Sequence, residues 1–408
     1  MSTDPGELRR PGQPSPTWNA RPMLAALSNL RYGQLTVRLD NGSERVFEGS
    51  ETGPDADIAL HRPLDLMRRL LTRKVVGLGE AYMEQVYSTS NLGNLLELGA
   101  FNEVHVSALL NDLAPMRLWN RLVHSRRDNH PKRSRQNIAA HYDLGNDFYA
   151  LWLDPTMTYS SALFEQSAGE SLEAAQQRKY DQLLDMLEVR PRQHILEIGC
   201  GWGGFAETAA RRGIHVTGIT LSSEQLRYAE ARMRRQGLDG LARFQLVDYR
   251  QVEGRFDHVV SIEMVEAVGQ RYWPIYFKTL FERLKPGGRA GIQAITIDPQ
   301  HFDDYCSNPD FIQLYIFPGG MLPTPSHLQA HAHAAGLQLR HERWFGQSYA
   351  ITLKRWRERF DSATSAIRAM GFDERFLRMW RYYLAYCEAG FRQQRIDLTQ
   401  AVFERAPG

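Results

Sequence analysis

The sequence predicts an α/β protein: a doubly wound, mostly parallel sheet with a small α+β domain ahead of it. Two observations predict the larger part. From about residue 137, short apolar runs alternate with segments of helical periodicity, and such alternation lays parallel strands side by side with helices on both faces. The first clear run, HILEIGCG at 194–201, ends in a glycine turn that opens directly into a helix. A third observation sets the front of the chain apart. Residues 33–50 alternate with the two-residue period of a hairpin, and 408 residues exceed one ordinary domain.

In chain order, residues 1–20 are polar and rich in Pro and Gly, and are expected to be disordered. GQLTVRL, the turn signal DNG and SERVFEG make the hairpin. RPLDLMRRLLT (62–72) reads as a basic amphipathic helix with Leu64, Met67, Leu70 and Leu71 on one face. LGNLLELGAF (92–101) is a short apolar helix. The small domain is expected over 21–118, a basic linker over 119–136 and the large domain over 137–408. In the large domain, strands are expected at 194–201, 215–221, 242–249, 256–262 and 289–297. FAETAARR continues the first turn as a helix. SSEQLRYAEARMRRQG is a second helix, capped by serine and closed by glycine.

Composition excludes several classes. Hydrophobic residues at 43% and charged residues at 24% fit a globular chain. No apolar run approaches the roughly 20 residues of a membrane span. MSTDPGELRRPGQPSP lacks the apolar stretch of a secretory signal, and only Cys200, Cys306 and Cys387 are present, so a reducing, cytoplasmic setting is expected. The cysteines show no CxxC or Cys/His spacing, so no metal site is expected. A net charge of +2 gives no reason to expect nucleic acid. Locally, residues 101–140 carry seven Lys/Arg against three acids, near a helix with Arg68, Arg69, Arg73 and Lys74. The run reads as a solvated linker or as a contact for anionic headgroups, whose potential is worth roughly 1 kcal/mol per basic residue.

The turn Leu196-Glu197-Ile198-Gly199-Cys200-Gly201-Trp202-Gly203-Gly204 carries the first chemistry. Glycines there let a ligand approach with no Cβ in the way. An acid stands two residues before the first glycine, and no Gly-Lys-Ser/Thr follows, which excludes a Walker phosphate loop. Glu197 repels phosphate but suits an ammonium group. Thr220, Leu221, Ser222 and Gln225 follow the second strand, where open α/β sheets bind a ribose. Asp248 ends the third, where an acid can accept from an adenine amine. A tight turn with no ligand is the alternative. Over 190–300 the combination resembles the class I S-adenosylmethionine-dependent methyltransferases.

A narrower resemblance rests on NIAAHYDLGNDFYALWLDPTMTYSSALF (137–164), LEIGCGWGGFA (196–206), GITLSSEQ (218–225), EMVEAVG (263–269), YIFPGGMLP (315–323) and RYYLAYCEAGFR (381–392), with GLGEAYME (77–84) in the small domain. Together they resemble the cyclopropane fatty acid synthase family over about 60–408. The resemblance implies a Rossmann-like methyltransferase domain, S-adenosylmethionine as cofactor, unsaturated acyl chains of membrane phospholipids as substrate, peripheral membrane association and a homodimer. It implies that the alkene attacks the sulfonium methyl, that a carbocation forms, and that a base removes a proton from the added methyl to close a ring. Tyr159, Ser160 and Gly199 are expected at the methionine end of the cofactor, and Trp202, Thr220 and Gln225 along its nucleoside. Glu197, Gly201 and Asp248 complete that set. The cation has to survive without water, and an aromatic face stabilises a cation by roughly 0.5–2 kcal/mol. Tyr142, Tyr149, Tyr159, Phe164, Tyr315, Phe317, Tyr349, Tyr382 and Tyr383 lie in the matched motifs, each with core packing as its alternative.

The family holds a bicarbonate ion as the base. Glu266 matches its glutamate ligand, Ile295 its backbone ligand and Tyr349 its tyrosine, but Ser161 replaces a cysteine and Gln293 a histidine. Hydrogen-bonding capacity survives these changes, whereas the titratable imidazole is lost. Three outcomes follow. Bicarbonate is still held, Glu266 is itself the base, or a hydride shift gives a methylene or methyl branch. Ring formation is the leading expectation. Cys387 matches a family cysteine near the acyl site and reads as a packing residue. His141 reads as a local cap or a substrate contact. Two other functions compete: a small-molecule amine N-methyltransferase and a lipid-binding protein without activity. The basic helix, the basic linker and the apolar FLRMWRYYLAYCEAGF argue against the first. The intact glycine turn and Glu266 argue against the second.

Overall fold

The computed structural model describes residues 27–103, 144–165 and 169–408. The expected disordered tail, the basic linker, His141 and Tyr142 lie outside the described residues. The chain divides into two compact units, and in described residues the first comprises 27–103 together with Glu374–Tyr382.

In the first unit, β1 (Tyr32–Leu39) and β2 (Glu44–Glu48) form the expected antiparallel hairpin. A strand that the sequence pattern does not predict, β3 (Glu51–Leu60), pairs parallel with the other edge of β1, and the two-residue β4 (Tyr87–Ser88) completes the order β2-β1-β3-β4. Helix α1 (Pro63–Met83) is longer than expected, with a break at Lys74, whose φ is +49°. The apolar face differs from the expected one. Leu66 is buried, while Leu64 is 55% exposed. The basic side chains of α1 are partly neutralised: Arg68 and Arg69 both pair with Asp65, and Arg73 pairs with Glu80 at 2.9 Å. Helix α2 (Leu92–Phe101) starts at Asn91, whose side chain caps the Asn94 N–H, and buries Leu92, Leu95, Leu96 and Leu98.

The second unit holds a seven-stranded sheet. Its strands are β5 (His194–Ile198), β6 (His215–Thr220), β7 (Ala242–Leu246), β8 (Phe256–Ile262), β9 (Leu284–Ile297), β10 (Leu337–Trp344) and β11 (Ile396–Arg405). The order is β10-β11-β9-β8-β5-β6-β7, and every pairing is parallel except the two made by β11. The last two strands escape the sequence reading because they are polar on one side, LQLRHERW and IDLTQAVFER. Helices follow in chain order: α3 (Asn146–Ala150), α4 (Leu172–Met186), α5 (Gly204–Arg211), α6 (Ser223–Gln236), α7 (Val265–Val268), α8 (Trp273–Arg283), α9 (Pro299–Ser307), α10 (Pro325–Ala334), α11 (Gly346–Ser362), α12 (Thr364–Ala369) and α13 (Glu374–Arg392).

Apolar residues on the two sides of this sheet build two cores. One joins Leu183, Leu184 and Leu187 of the α4 region to Phe205, Val216 and Phe244; the other joins Trp273, Phe277 and Leu280 of α8 to Ile198, Val259 and Ile292. Such parallel strands are covered on both faces, so ligand chemistry collects at their carboxyl ends. Among the described residues, no helix is long and apolar enough to cross a membrane.

Candidate active site

The glycine turn leaves β5 as expected. The N–H groups of Gly199 and Cys200 both donate to the Ile219 carbonyl at 3.0 Å, which ties the turn to β6. Gly199 sits at φ +81°, and a Cβ there would lie 2.4 Å from Met264 Cγ, so no other residue fits. Gly201, at φ +50°, has no atom within 4 Å of where its Cβ would be. Glu197 is buried, one of its carboxylate oxygens has no partner, and burial holds its pKa well above the ordinary value. The Thr220 hydroxyl donates to Gln225 at 2.9 Å just past the end of β6. A turn with open space before its middle glycine, an orphaned acid behind it and a polar pair joining the end of β6 to the start of α6 is compatible with S-adenosylmethionine. Two expected contacts are already engaged. Both oxygens of Asp248 accept from Arg250, at 2.7 and 2.6 Å, and Trp202 Nε1 donates to Asn146 at 2.7 Å while its ring packs on Tyr149.

Tyr159, Ser160 and Ser161 lie in a segment clamped between α4 and α11. Gln176 donates to the Ser160 carbonyl at 2.9 Å, Thr352 accepts from the Ala162 N–H at 3.1 Å, and Ser348 accepts from the Phe164 N–H at 3.1 Å. The Tyr159 hydroxyl meets that of Tyr383 at 2.8 Å, and its ring packs on Tyr149, Trp152 and Trp356 within 5.5 Å. Of the expected aromatics, Tyr149 and Tyr383 thus stand at Tyr159, with Trp152 and Trp356 as added members. Tyr382 belongs elsewhere: it packs on Tyr82 in the first unit.

The carboxylate at the centre of the site is Glu263, which the sequence reading did not single out. Glu263 Oε1 accepts the Ser161 N–H at 2.9 Å and Gln293 Nε2 at 2.8 Å, and Oε2 accepts the Tyr349 hydroxyl at 2.6 Å. Glu263 stands one residue past the end of β8 with φ +53°, a left-handed backbone that non-glycine residues rarely adopt and that often marks functional strain. Its own N–H still donates to the Gln293 carbonyl at 2.8 Å, so the strand pairing continues through the strained residue.

Glu266 does not share these donors. Ser161, Gln293 and Tyr349 converge on Glu263. Glu266 instead accepts the Ile295 N–H, its second oxygen has no protein partner, and burial pushes its pKa up to about 8. Burial therefore favours the protonated form of Glu266. Ser161 also differs from expectation. Its backbone N–H faces the carboxylate, while its hydroxyl donates to the Ala162 carbonyl at 2.8 Å. Three of the residues expected around a bicarbonate, Ser161, Gln293 and Tyr349, are thus hydrogen-bonded to Glu263. Cys387 is electrostatically coupled to Tyr349 and Tyr383, and burial raises its thiol pKa, so it packs beside the site as a neutral thiol.

Two further residues escaped the sequence reading. Lys179 of α4 is completely buried, and its Nζ donates to Ser160 Oγ at 2.6 Å. Gln400 of β11 donates from one amide nitrogen to the Lys179 carbonyl at 3.1 Å and to Gln293 Oε1 at 3.0 Å. Both left a signal. Lys179 occupies the apolar stripe Ala175-Lys179-Leu183, and Glu263 terminates a parallel strand, where ligand sites gather.

Comparison with known proteins adds the family context. The family model for mycolic acid cyclopropane synthetase matches residues 129–401. Tuberculostearic acid methyltransferase UfaA1 of Mycobacterium tuberculosis is 41% identical over 370 residues, covering 86% of this chain and 85% of that protein. The cyclopropane-fatty-acyl-phospholipid synthase of Escherichia coli is 36% identical over 366 residues, covering 86% and 88%. Among solved structures, mycolic acid cyclopropane synthase CmaA1, complexed with SAH and CTAB, superposes with a TM-score of 0.62 at 30% identity, over 66% of this chain and 98% of that one. Coclaurine N-methyltransferase superposes equally well at 16% identity, a likeness of fold alone.

Proposed function

The chain belongs to the mycolic acid cyclopropane synthetase family of S-adenosylmethionine-dependent methyltransferases, and from that premise we propose that it methylates the double bond of unsaturated fatty acyl chains in membrane phospholipids and leaves a methylene branch. The observation that carries the reading is the Glu263 carboxylate, held by Ser161, Gln293 and Tyr349.

S-adenosylmethionine, when bound, supplies an electrophilic methyl group. Glu197, Thr220, Gln225 and the 199–204 turn are the residues that would hold it. The aromatic faces of Tyr149, Tyr159, Trp356 and Tyr349 exclude water and stabilise positive charge on the methylated acyl chain. Glu263 then accepts a proton from the added methyl: a C–H bond breaks, an O–H bond forms, and the electron pair becomes a carbon–carbon bond. Where that pair goes decides the product. Prompt proton loss closes a three-membered ring. Loss after a hydride has shifted from the methylated carbon to its neighbour leaves a C=CH2 branch on the open chain.

A carboxylate with both oxygens engaged by three donors has fewer lone pairs directed at the methyl. It removes the proton slowly relative to the hydride shift, which needs no base. The name of the 41%-identical relative, a methyltransferase for a branched acid, supports the same outcome. A saturated branch would need a separate two-electron reduction.

The test is gas chromatography and mass spectrometry of acyl methyl esters from cells that express the chain and contain cis-unsaturated phospholipid. A methylene product is cleaved by ozone to a ketone and takes up hydrogen under mild conditions. An isomeric product that resists ozone is the ring, and would replace this reading with cyclopropanation. Absence of any new acyl species, with the cofactor bound, would overturn the substrate class as well.

A further inference from the structure

We infer that Lys179 is a positioning residue that keeps the Glu263 carboxylate ionised. The inference rests on Glu263 being the base.

Lys179 is joined to the site at both of its ends. Its Nζ donates to Ser160 Oγ at 2.6 Å, and the next residue, Ser161, donates its N–H to Glu263 at 2.9 Å. Its carbonyl accepts from Gln400, which also donates to Gln293, which donates to Glu263. An ammonium group with no exposure would not remain charged with one hydroxyl as partner. Charge from three carboxylates favours its proton: Glu263 past the end of β8, Glu197 of β5 and Asp154 of the loop after α3. Two of these are committed elsewhere. Asp154 accepts from the Thr156 N–H at 2.9 Å, and Glu197 stands behind the glycine turn facing Arg232 as well.

For Glu263, Lys179 is the cation that acts on it. Its other neighbours are the hydroxyl of Tyr349 on α11, the amide of Gln293 on β9 and Glu266 at the start of α7. From the lysine's own helix, Tyr180 offers only its ring face, 4.4 Å from Nζ. Burial pulls Lys179 down to about 7 and raises Glu263, so each depends on the other for its charge. A buried cation joined to the carboxylate through Ser160 and Ser161 favours the charged base. The conserved-shape alternative, a lysine that merely fills the core beside Leu183, predicts no link between its charge and the titration of the site.

The experiment measures kcat against pH for the full chain acting on vesicles of unsaturated phospholipid, with S-adenosylhomocysteine affinity by calorimetry as the check on folding. In Lys179→Met the acid limb should move to higher pH by about a unit, so activity on that limb falls by up to about tenfold and recovers in part by pH 9. Lys179→Arg should keep the limb within about 0.3 unit of the parent. If the methionine variant does not bind S-adenosylhomocysteine, Ser160→Ala carries the test, because losing the lysine's acceptor should shift the limb in the same direction by a smaller amount. An acid limb that stays in place in whichever of these variants binds S-adenosylhomocysteine overturns the inference. Glu263→Gln separates this failure from failure of the premise: an active glutamine variant removes the base itself, whereas an inactive one with an unmoved limb in Lys179→Met removes only the lysine's role.

Discussion

Replacing Glu263 by glycine tests the centre of the site more sharply than replacing it by glutamine. The backbone already sits at φ +53°, which glycine adopts without cost, so the variant relieves strain on the order of 1 kcal/mol. Against that, three buried donors lose their acceptor: the Ser161 N–H, Gln293 Nε2 and the Tyr349 hydroxyl. Each unsatisfied group costs about 1–3 kcal/mol, offset in part because a costly buried carboxylate is also gone, so the fold should survive with reduced stability. The rate should not. A positioned general base is worth roughly 10²–10⁴ in turnover, or about 2.7–5.5 kcal/mol of barrier.

The space left is lined by the same three donors and is the size of a small carboxylate, so added formate or bicarbonate should restore turnover saturably, and chloride should not. The assay follows transfer of labelled methyl to unsaturated phospholipid vesicles in carbon-dioxide-free buffer, with and without each anion, and identifies the product. Bicarbonate rescue should shift the product toward the ring, because the added base is no longer tethered. Turnover of Glu263→Gly within about fivefold of the parent without any anion would refute the reasoning. So would absence of rescue in a variant that still binds S-adenosylhomocysteine.

The remaining predictions concern neighbouring parts of the molecule. Glu266 holds a proton in the folded chain up to about pH 8, whereas an unfolded glutamate sheds it near its ordinary value. Its contribution to stability therefore falls as pH rises between roughly 4.5 and 8; Glu266→Gln should flatten that decline by on the order of a few kcal/mol, read from urea denaturation at pH 5 and pH 8, and should cost less turnover than Glu263→Gln. Gly199→Ala brings a Cβ within 2.4 Å of Met264 Cγ and should lower stability by about 1–3 kcal/mol as well as cofactor affinity. Gly201→Val meets no protein atom with its Cβ, so calorimetry should record a loss of cofactor affinity out of proportion to its smaller loss in melting temperature. Binding to anionic vesicles, if Arg68, Arg69, Arg73 and Lys74 contribute to it, should weaken as salt rises past the point where the Debye length is roughly 8 Å, in a sedimentation assay; equal binding to neutral vesicles would remove that role.

The parts of the fold legible in the sequence are those with strong periodicity or forced backbone geometry. β5, β6 and β8 are buried on both faces and read as continuous apolar runs, and the glycine turn announces itself because Gly199 has no alternative. β10 and β11 are polar on one side, and β3 carries Gly53, Pro54 and three acids, so neither period nor composition marks them. The site was half legible. Ser161, Gln293 and Tyr349 were singled out by the resemblance and share Glu263, while Ile295 meets Glu266. Which of two glutamates three residues apart receives them depends on the left-handed turn at Glu263, and a side chain's direction at such a turn leaves no trace in sequence spacing. Lys179 was invisible for a related reason, since a lysine on an apolar stripe reads as an interruption of the pattern until its partners are known.

One feature of the chain's path bears on its synthesis. The first unit includes Glu374–Tyr382, the opening half of α13: Arg378 donates to the Tyr82 carbonyl at 2.9 Å and lies over the Tyr82 ring, Arg375 pairs with Glu84, and the Tyr382 hydroxyl reaches the Val75 carbonyl. A ribosome that has made residues 27–103 has therefore not made all of that unit. At roughly 5–20 residues per second, the missing nine-residue segment emerges on the order of 15–50 s later. The nascent amino-terminal quarter waits with Tyr82 and the end of α1 uncovered, a stretch open to chaperones and to misassociation. A nonsense truncation anywhere before residue 374 would damage the unit that had been translated first.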